Sequence, residues 1–236
     1  MPTRKKTNVD SWIEDTTSRQ GDALEESSRH FDEDDVLTVN TLEAIYGQES
    51  SFGTKMRTRG MSGAAGHFQF EKETAGRLGL KVSKSNDQRF NIDAAADAIG
   101  KYLKSIDNFF SKITNLGAGI KTIPVRDKDE RINFDIAAVN AGEGRIARAQ
   151  TEANKAGKNP DKWNDVKNFL EKAGATPKKA KEITDYVEKV KDYEKEFSKK
   201  SPLKKEPKNK KPGKDKASKS DSCHWITKDG KRLCIE

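Results

Sequence analysis

Apolar side chains recur every three or four positions across most of the stretch 34–197. Val36, Val39, Leu42, Ile45 and Tyr46 open the pattern. Residues 73–79, 91–113, 132–141, 143–156, 161–171 and 177–197 continue it, which predicts a series of amphipathic helices. Gly53, Gly79, Gly117, Gly142, Gly157 and Gly174 fall between these segments and mark their ends. Nowhere do Val, Ile and Thr alternate with polar residues over a useful strand length. The expected class is therefore all-α, with a folded body over 34–198. A body of that length can bury one hydrophobic core of its own.

The flanks follow different patterns. Residues 1–33 mix acidic and basic positions without a clear apolar period. They are expected to be mostly disordered, with at most a short helix around Trp12. Residues 199–221 are a Lys/Pro/Ser stretch with almost nothing to bury, and read as a flexible linker. Residues 222–236 form a last unit, in which a short alternating segment around Asp229-Gly230 predicts a small hairpin. Cys223 and Cys234 flank it and are the chain's two cysteines. A disulfide between them would staple the hairpin and would suit an oxidising compartment, although spacing alone does not establish the bond.

Charge sharpens this division. The 236 residues carry a formal net charge of +8. Ten lysines against three acids lie in 199–221, whereas 1–198 hold 33 basic and 33 acidic residues. The basic character thus belongs to the tail and not to a folded face, which argues against the body as a nucleic-acid binder. No apolar run approaches the roughly 20 residues that span a bilayer. The start of the chain has basic residues but no apolar stretch behind them, so no secretory signal is visible. No His/Cys cluster has metal-ligand spacing.

The candidate chemistry begins at the end of the first predicted helix of the body. Leu42, Ile45, Tyr46 and Glu49 are spaced i, i+3, i+4 and i+7, so Glu49 continues the apolar stripe. A carboxyl group beside apolar side chains loses solvation when ionised. Its pKa should rise, as a general acid near neutral pH requires. Taken alone, Glu49 reads more readily as a solvated residue at a frayed helix end.

Further segments change that balance. Glu49-Ser50-Ser51-Phe52 is followed by Gly63-Ala64-Ala65-Gly66-His67-Phe68-Gln69, then by Thr74-Ala75. Ala137-Ala138-Val139-Asn140-Ala141-Gly142 comes later, and Glu182 stands four residues before Tyr186-Val187. In order and spacing these pieces resemble the lytic transglycosylases of the soluble-lysozyme-like (goose-lysozyme-like) family, over roughly residues 36–190. The resemblance implies a lysozyme-like helical catalytic domain with a sugar-binding cleft. It implies cleavage of the β-1,4 bond between N-acetylmuramic acid and N-acetylglucosamine in peptidoglycan, with no cofactor. Glu49 aligns with the family's acid. Ser50, Gln69, Asn140, Glu182 and Tyr186 align with positions that contact substrate or line the cleft. Four of them also have a plain structural reading: Gln69 as a loop hydrogen bond, Asn140 as a helix-end residue, Glu182 as a surface acid and Tyr186 as a core ring.

The chain departs from the family pattern at several points. Val139 replaces a Tyr, Gly60 stands where Ser is frequent, and Glu71-Lys72 replace an apolar residue and Pro. Glu71 is expected to bring an extra carboxylate near the cleft. His67 is expected to be partly buried and neutral.

With one convincing acid, the usual two-carboxylate glycosidase scheme is incomplete. The substrate's own 2-acetamido group would have to supply the second function, and Glu49 would act first as acid and then as base, giving a 1,6-anhydro product. A hydrolytic muramidase on the same scaffold is the alternative, and a non-catalytic wall-binding or assembly protein a third. The expected partner is the peptidoglycan glycan strand, reached in the periplasm, in the cell wall or outside the cell. Export through a secretion, conjugation or phage assembly would meet the lack of a visible signal.

Overall fold

The structure is a computed structural model. It describes residues 6–33, 35–57 and 63–203, and the backbone of two strands at 224–228 and 231–235. The described chain divides into two units, 1–205 and 206–236.

Among the described residues the first unit holds nine α-helices: α1 (Asn8–Asp15), α2 (Ser18–Ser28), α3 (Val39–Ser50), α4 (Lys72–Arg77), α5 (Ile92–Ser111), α6 (Lys128–Ala141), α7 (Glu143–Lys155), α8 (Trp163–Val166) and α9 (Pro177–Lys200). Its class is all-α, as the periodicity predicts. A very short antiparallel pair, β1 (Asn115–Gly117) and β2 (Ile120–Lys121), joins α5 to α6. α6 is packed at the centre of the unit against α5, α7 and α9, while α3 lies along α9. Phe134, Ile136, Ala137 and Ala138 of α6 are fully buried, so this helix has no wet face over its middle turns.

The expectation of disorder over 1–33 is corrected for residues 6–33, which form α1 and α2. Local signals start both helices. Thr7 and Thr17 are N-caps whose hydroxyls accept from the backbone of Asp10 and Gln20, and those side chains accept from the cap backbone in return. Tertiary contacts then hold them. The Trp12 ring stacks on Phe52 at 5.8 Å and meets the edge of Tyr193 at 4.9 Å. A Cβ on Gly47 would stand 2.5 Å from that ring, so the close approach of α1 to α3 requires glycine there. α2 lies along α5, with the Ser27 hydroxyl donating to the Ala96 carbonyl at 2.5 Å. Short helices with few apolar residues carry a weak periodic signal, and these two are stable by docking rather than by propensity.

The other end of the body also shifts. α9 runs to Lys200, and Leu203 packs against the core, so 199–203 belong to the folded unit and not to a linker. Residues 204–221 lie outside the described residues. In the second unit, β3 (His224–Lys228) pairs antiparallel with β4 (Lys231–Ile235), with Trp225 opposite Cys234. The proposed Cys223–Cys234 bond and the Asp229-Gly230 turn lie outside the described residues. Among the described residues, no helix is long and apolar enough to cross a membrane.

Candidate functional site: an acid in a helical cleft

α3 ends where it does because the chain turns left-handed immediately after it. Ser51, Phe52 and Gly53 have φ values of 50°, 55° and 80°. Two non-glycine residues in this region cost of order 1 kcal/mol or more each. Burial of Phe52 among Trp12, Tyr46 and Phe197 offsets that cost. The turn leaves Glu49 one residue from the helix end. The buried Ser50 hydroxyl accepts from the Gly53 amide at 3.0 Å, and the Ser50 carbonyl accepts from Lys55 at 2.9 Å. Ser50 is thus engaged in shaping the turn and does not line the cleft described below.

Glu49 lies in the wall of a cleft of about 430 Å³ between the end of α3, the end of α6 and the first half of α9. Leu42, Ile45 and Tyr46, its companions on the stripe, are fully buried. Tyr186 is buried and donates its hydroxyl to Glu49 Oε1 at 2.6 Å. Burial of the carboxyl pushes the pKa of Glu49 up to about 7, against the opposing pull of the Tyr186 hydrogen bond and the Lys179 charge. Tyr186 itself stays protonated, because desolvation and then the Glu49 charge raise its pKa well above the usual phenol value.

Asn140 and Glu182 line the same cleft. The Asn140 amide nitrogen faces Glu182 Oε1 at 3.5 Å. Lys179 lies between the two, donating to Asn140 Oδ1 at 3.1 Å and to Glu182 Oε1 at 2.7 Å. Desolvation works against ionisation of Glu182, but the hydrogen bond and charge of Lys179 outweigh it, and its pKa falls below the usual value. The fold therefore brings together Glu49, Asn140, Glu182 and Tyr186 from three helices and from sequence positions 137 apart at the extremes.

Gln69 takes a different place. Its φ is 48°, and its side-chain amide donates to the carbonyls of Met56 at 3.0 Å and Gly66 at 2.7 Å. It ties residues 55–56 to Gly66 and is not among the residues lining the cleft at Glu49. Gly66 tolerates no side chain, since a Cβ would come within 2.0 Å of the Arg89 carbonyl oxygen. His67 is buried, and desolvation lowers its pKa, in keeping with a neutral ring. Its Nδ1 lies 2.7 Å from the Tyr46 hydroxyl, which also accepts from the Gln20 side-chain amide at 2.9 Å. α2 thus reaches, through Gln20, the Tyr46 hydroxyl and the Phe52 carbonyl in the turn after α3. Glu71 is exposed at the start of α4 and does not line the Glu49 cleft, contrary to expectation. Val139 packs against the core, and Gly60 lies outside the described residues.

Residues 32–162 match the family model described as the transglycosylase SLT domain, which is more than half of the chain. The chain belongs to this family. The match includes Glu49, Ser50, Gln69 and Asn140, and stops short of Glu182 and Tyr186. Over 150 residues the chain is 28% identical to a protein of Cellvibrio japonicus named membrane-bound lytic murein transglycosylase F. That alignment covers 63% of this chain and 25% of the relative, so the SLT chain spans about a quarter of the relative's length.

The residue that sequence reasoning missed is Lys179. It stands three positions before Glu182 on the same face of α9, a spacing that would have flagged it once Glu182 was singled out. Its contact with Asn140, 39 positions away in sequence, had no such signal.

Proposed function

We propose that this SLT-family protein cleaves the β-1,4 bond between N-acetylmuramic acid and N-acetylglucosamine of peptidoglycan, with Glu49 as the acid and then the base. The observation that carries this reading is the Glu49 carboxyl, desolvated in a cleft wall, raised to a pKa of about 7 and aligned by the Tyr186 hydroxyl at 2.6 Å. A carboxyl with that pKa is protonated often enough to donate and basic enough to accept near neutrality.

The steps balance without an external nucleophile. Protonated Glu49 donates its proton to the glycosidic oxygen as the bond from C1 breaks. The 2-acetamido oxygen of the muramic acid residue bonds to C1 and carries the developing positive charge. Ionised Glu49 then removes the proton of the C6 hydroxyl, O6 attacks C1, and the acetamido oxygen leaves. The products are a 1,6-anhydro end and a free hydroxyl on the departing sugar, and Glu49 is protonated again. Asn140 and Glu182 offer hydrogen-bonding groups to the sugar within the same cleft. Gln69 serves substrate binding through the segments it ties together, and Ser50 through the turn it holds.

The hydrolytic alternative draws on one observation, the second carboxylate of Glu182 in the cleft. Mass spectrometry of digested sacculi separates the two, because the anhydro product is lighter by one water. The anhydro product is expected with wild type, and none with Glu49→Gln. Full turnover by Glu49→Gln would end the proposal. The substrate places the action of the protein in the periplasm, in the cell wall or outside the cell.

A further inference from the structure

The first turn of α9 is unusual for a helix start. Its N-cap is Thr176, whose hydroxyl accepts from the Lys179 amide at 3.2 Å, and Pro177 follows at the first position. Both choices favour a helix start. The turn then carries Lys178 and Lys179 and no acid. The partial positive charge at a helix N-terminus favours anionic side chains there and disfavours cations, by a few tenths of a kcal/mol to about 1 kcal/mol each. A local rule broken inside a cleft calls for a reason at that site.

The Lys179 side chain supplies one. Its ammonium group closes a triangle with Asn140 Oδ1 and Glu182 Oε1, the two side chains that flank Glu49 across the cleft. Lys179 is half-buried, at 30% side-chain exposure, whereas Glu182 is exposed at 53%, so water screens the triangle from the Glu182 side. Without Lys179, Glu182 would face Asn140 alone across 3.5 Å, and both side chains would regain rotamer freedom.

We propose that Lys179 is a positioning residue of the cleft, locking Asn140 and Glu182 into one substrate-ready arrangement and setting a positive charge beside the acid Glu49. This rests on the transglycosylase reading. The charge acts in a defined direction. Lys179 stabilises ionised Glu49, and Glu182 destabilises it. The other ionisable group directly facing Glu49 is Tyr186, with Lys178, Lys181, Asp185 and Lys189 of α9 further along the cleft wall. From α6 the cleft receives the uncharged Asn140, and from α3 the uncharged Gln48. Lys181 is tied to Asp185 at 2.7 Å, so it does not stand in for Lys179 in the triangle.

Lys179→Met and Lys179→Arg, compared with wild type on purified glycan strands, test this. Lys179→Met is expected to lower kcat/KM about tenfold, chiefly through KM. It should also move the alkaline limb of the pH profile upward by about half a unit, since Glu49 then holds its proton more tightly. Lys179→Arg keeps the charge and both donors, and should restore most of the rate. A carbon-13 titration of the Glu49 carboxyl in the folded proteins reads the same upward shift without turnover. Unchanged rate and pH profile in Lys179→Met, an equal loss in Lys179→Arg, or an unshifted Glu49 titration would each overturn the role of Lys179. A wild type that leaves the strands intact refutes the proposed reaction, and the titration still decides the electrostatic role of Lys179.

Discussion

Two of the acids that the fold desolvates behave differently. At the cleft, Glu49 is desolvated but has a hydroxyl donor in Tyr186, the Lys179 cation nearby and an opening through which a sugar can approach. Between α5 and α6, Asp135 is fully buried, and neither of its carboxyl oxygens has a hydrogen-bond partner among the described residues. Burial, then the nearby Asp107 charge, pushes its pKa well above the usual value, and Arg131 only partly opposes this. Arg131 is already committed to Asp107 at 2.6 Å and to the Val125 carbonyl at 2.9 Å. Keeping a carboxyl neutral takes little more than desolvation, as at Asp135. A proton-cycling group also needs a donor that steadies its ionised form, and access to a substrate.

Four substitutions would break or sharpen that contrast. Glu49→Gln is expected to lower wall cleavage by about 1,000-fold or more while thermal unfolding shows an intact fold. In the sealed centre, Arg131→Met should destabilise by about 3–5 kcal/mol, because it strands the buried Asp107 charge. Denaturant unfolding measures this, and a loss under 1 kcal/mol would show that the pair is not effectively buried.

Asp135→Asn should do the reverse, raising stability at pH 8 by about 1–3 kcal/mol, because the amide needs no proton to stay neutral. The sign follows from linkage. The folded-state pKa of Asp135 lies above its unfolded value, so its contribution is fully present below the unfolded pKa of about 3.9 and is lost as pH rises toward the folded pKa. Wild-type stability should therefore fall with rising pH over that window, and Asp135→Asn should flatten the slope. Glu43, buried and raised to about 7 by desolvation, adds a slope of the same sign up to that pH in both proteins.

The mildest change is Tyr186→Phe, which removes the donor to Glu49. The expected loss is about tenfold in rate, the size of one hydrogen bond to a charged group. The alkaline limb should move upward, since the lost bond favoured ionised Glu49. A limb that stays in place would show that Tyr186 does not tune the acid.

Much of this arrangement is legible along the chain. The 3.6-residue period placed α5, α6, α7 and α9 close to their observed bounds, and glycines at element ends such as Gly142 and Gly174 take positive φ. The stripe through Leu42, Ile45 and Tyr46 put Glu49 against the core. These are local properties, because a helix repeats its geometry every turn and its buried face must be apolar. The docking of α1 and α2 was not legible, since it depends on Trp12 finding the glycine gap at Gly47 and Phe52 far along the chain. Ser50 and Gln69 sit within the motif yet serve the turn and the loop, a distinction that depends on where the backbone points after α3. The Asn140–Lys179–Glu182 triangle and the full burial of Asp135 were likewise decided in three dimensions. Charge coupling and desolvation depend on distances between helices, and those distances exist only once α3, α6 and α9 have packed.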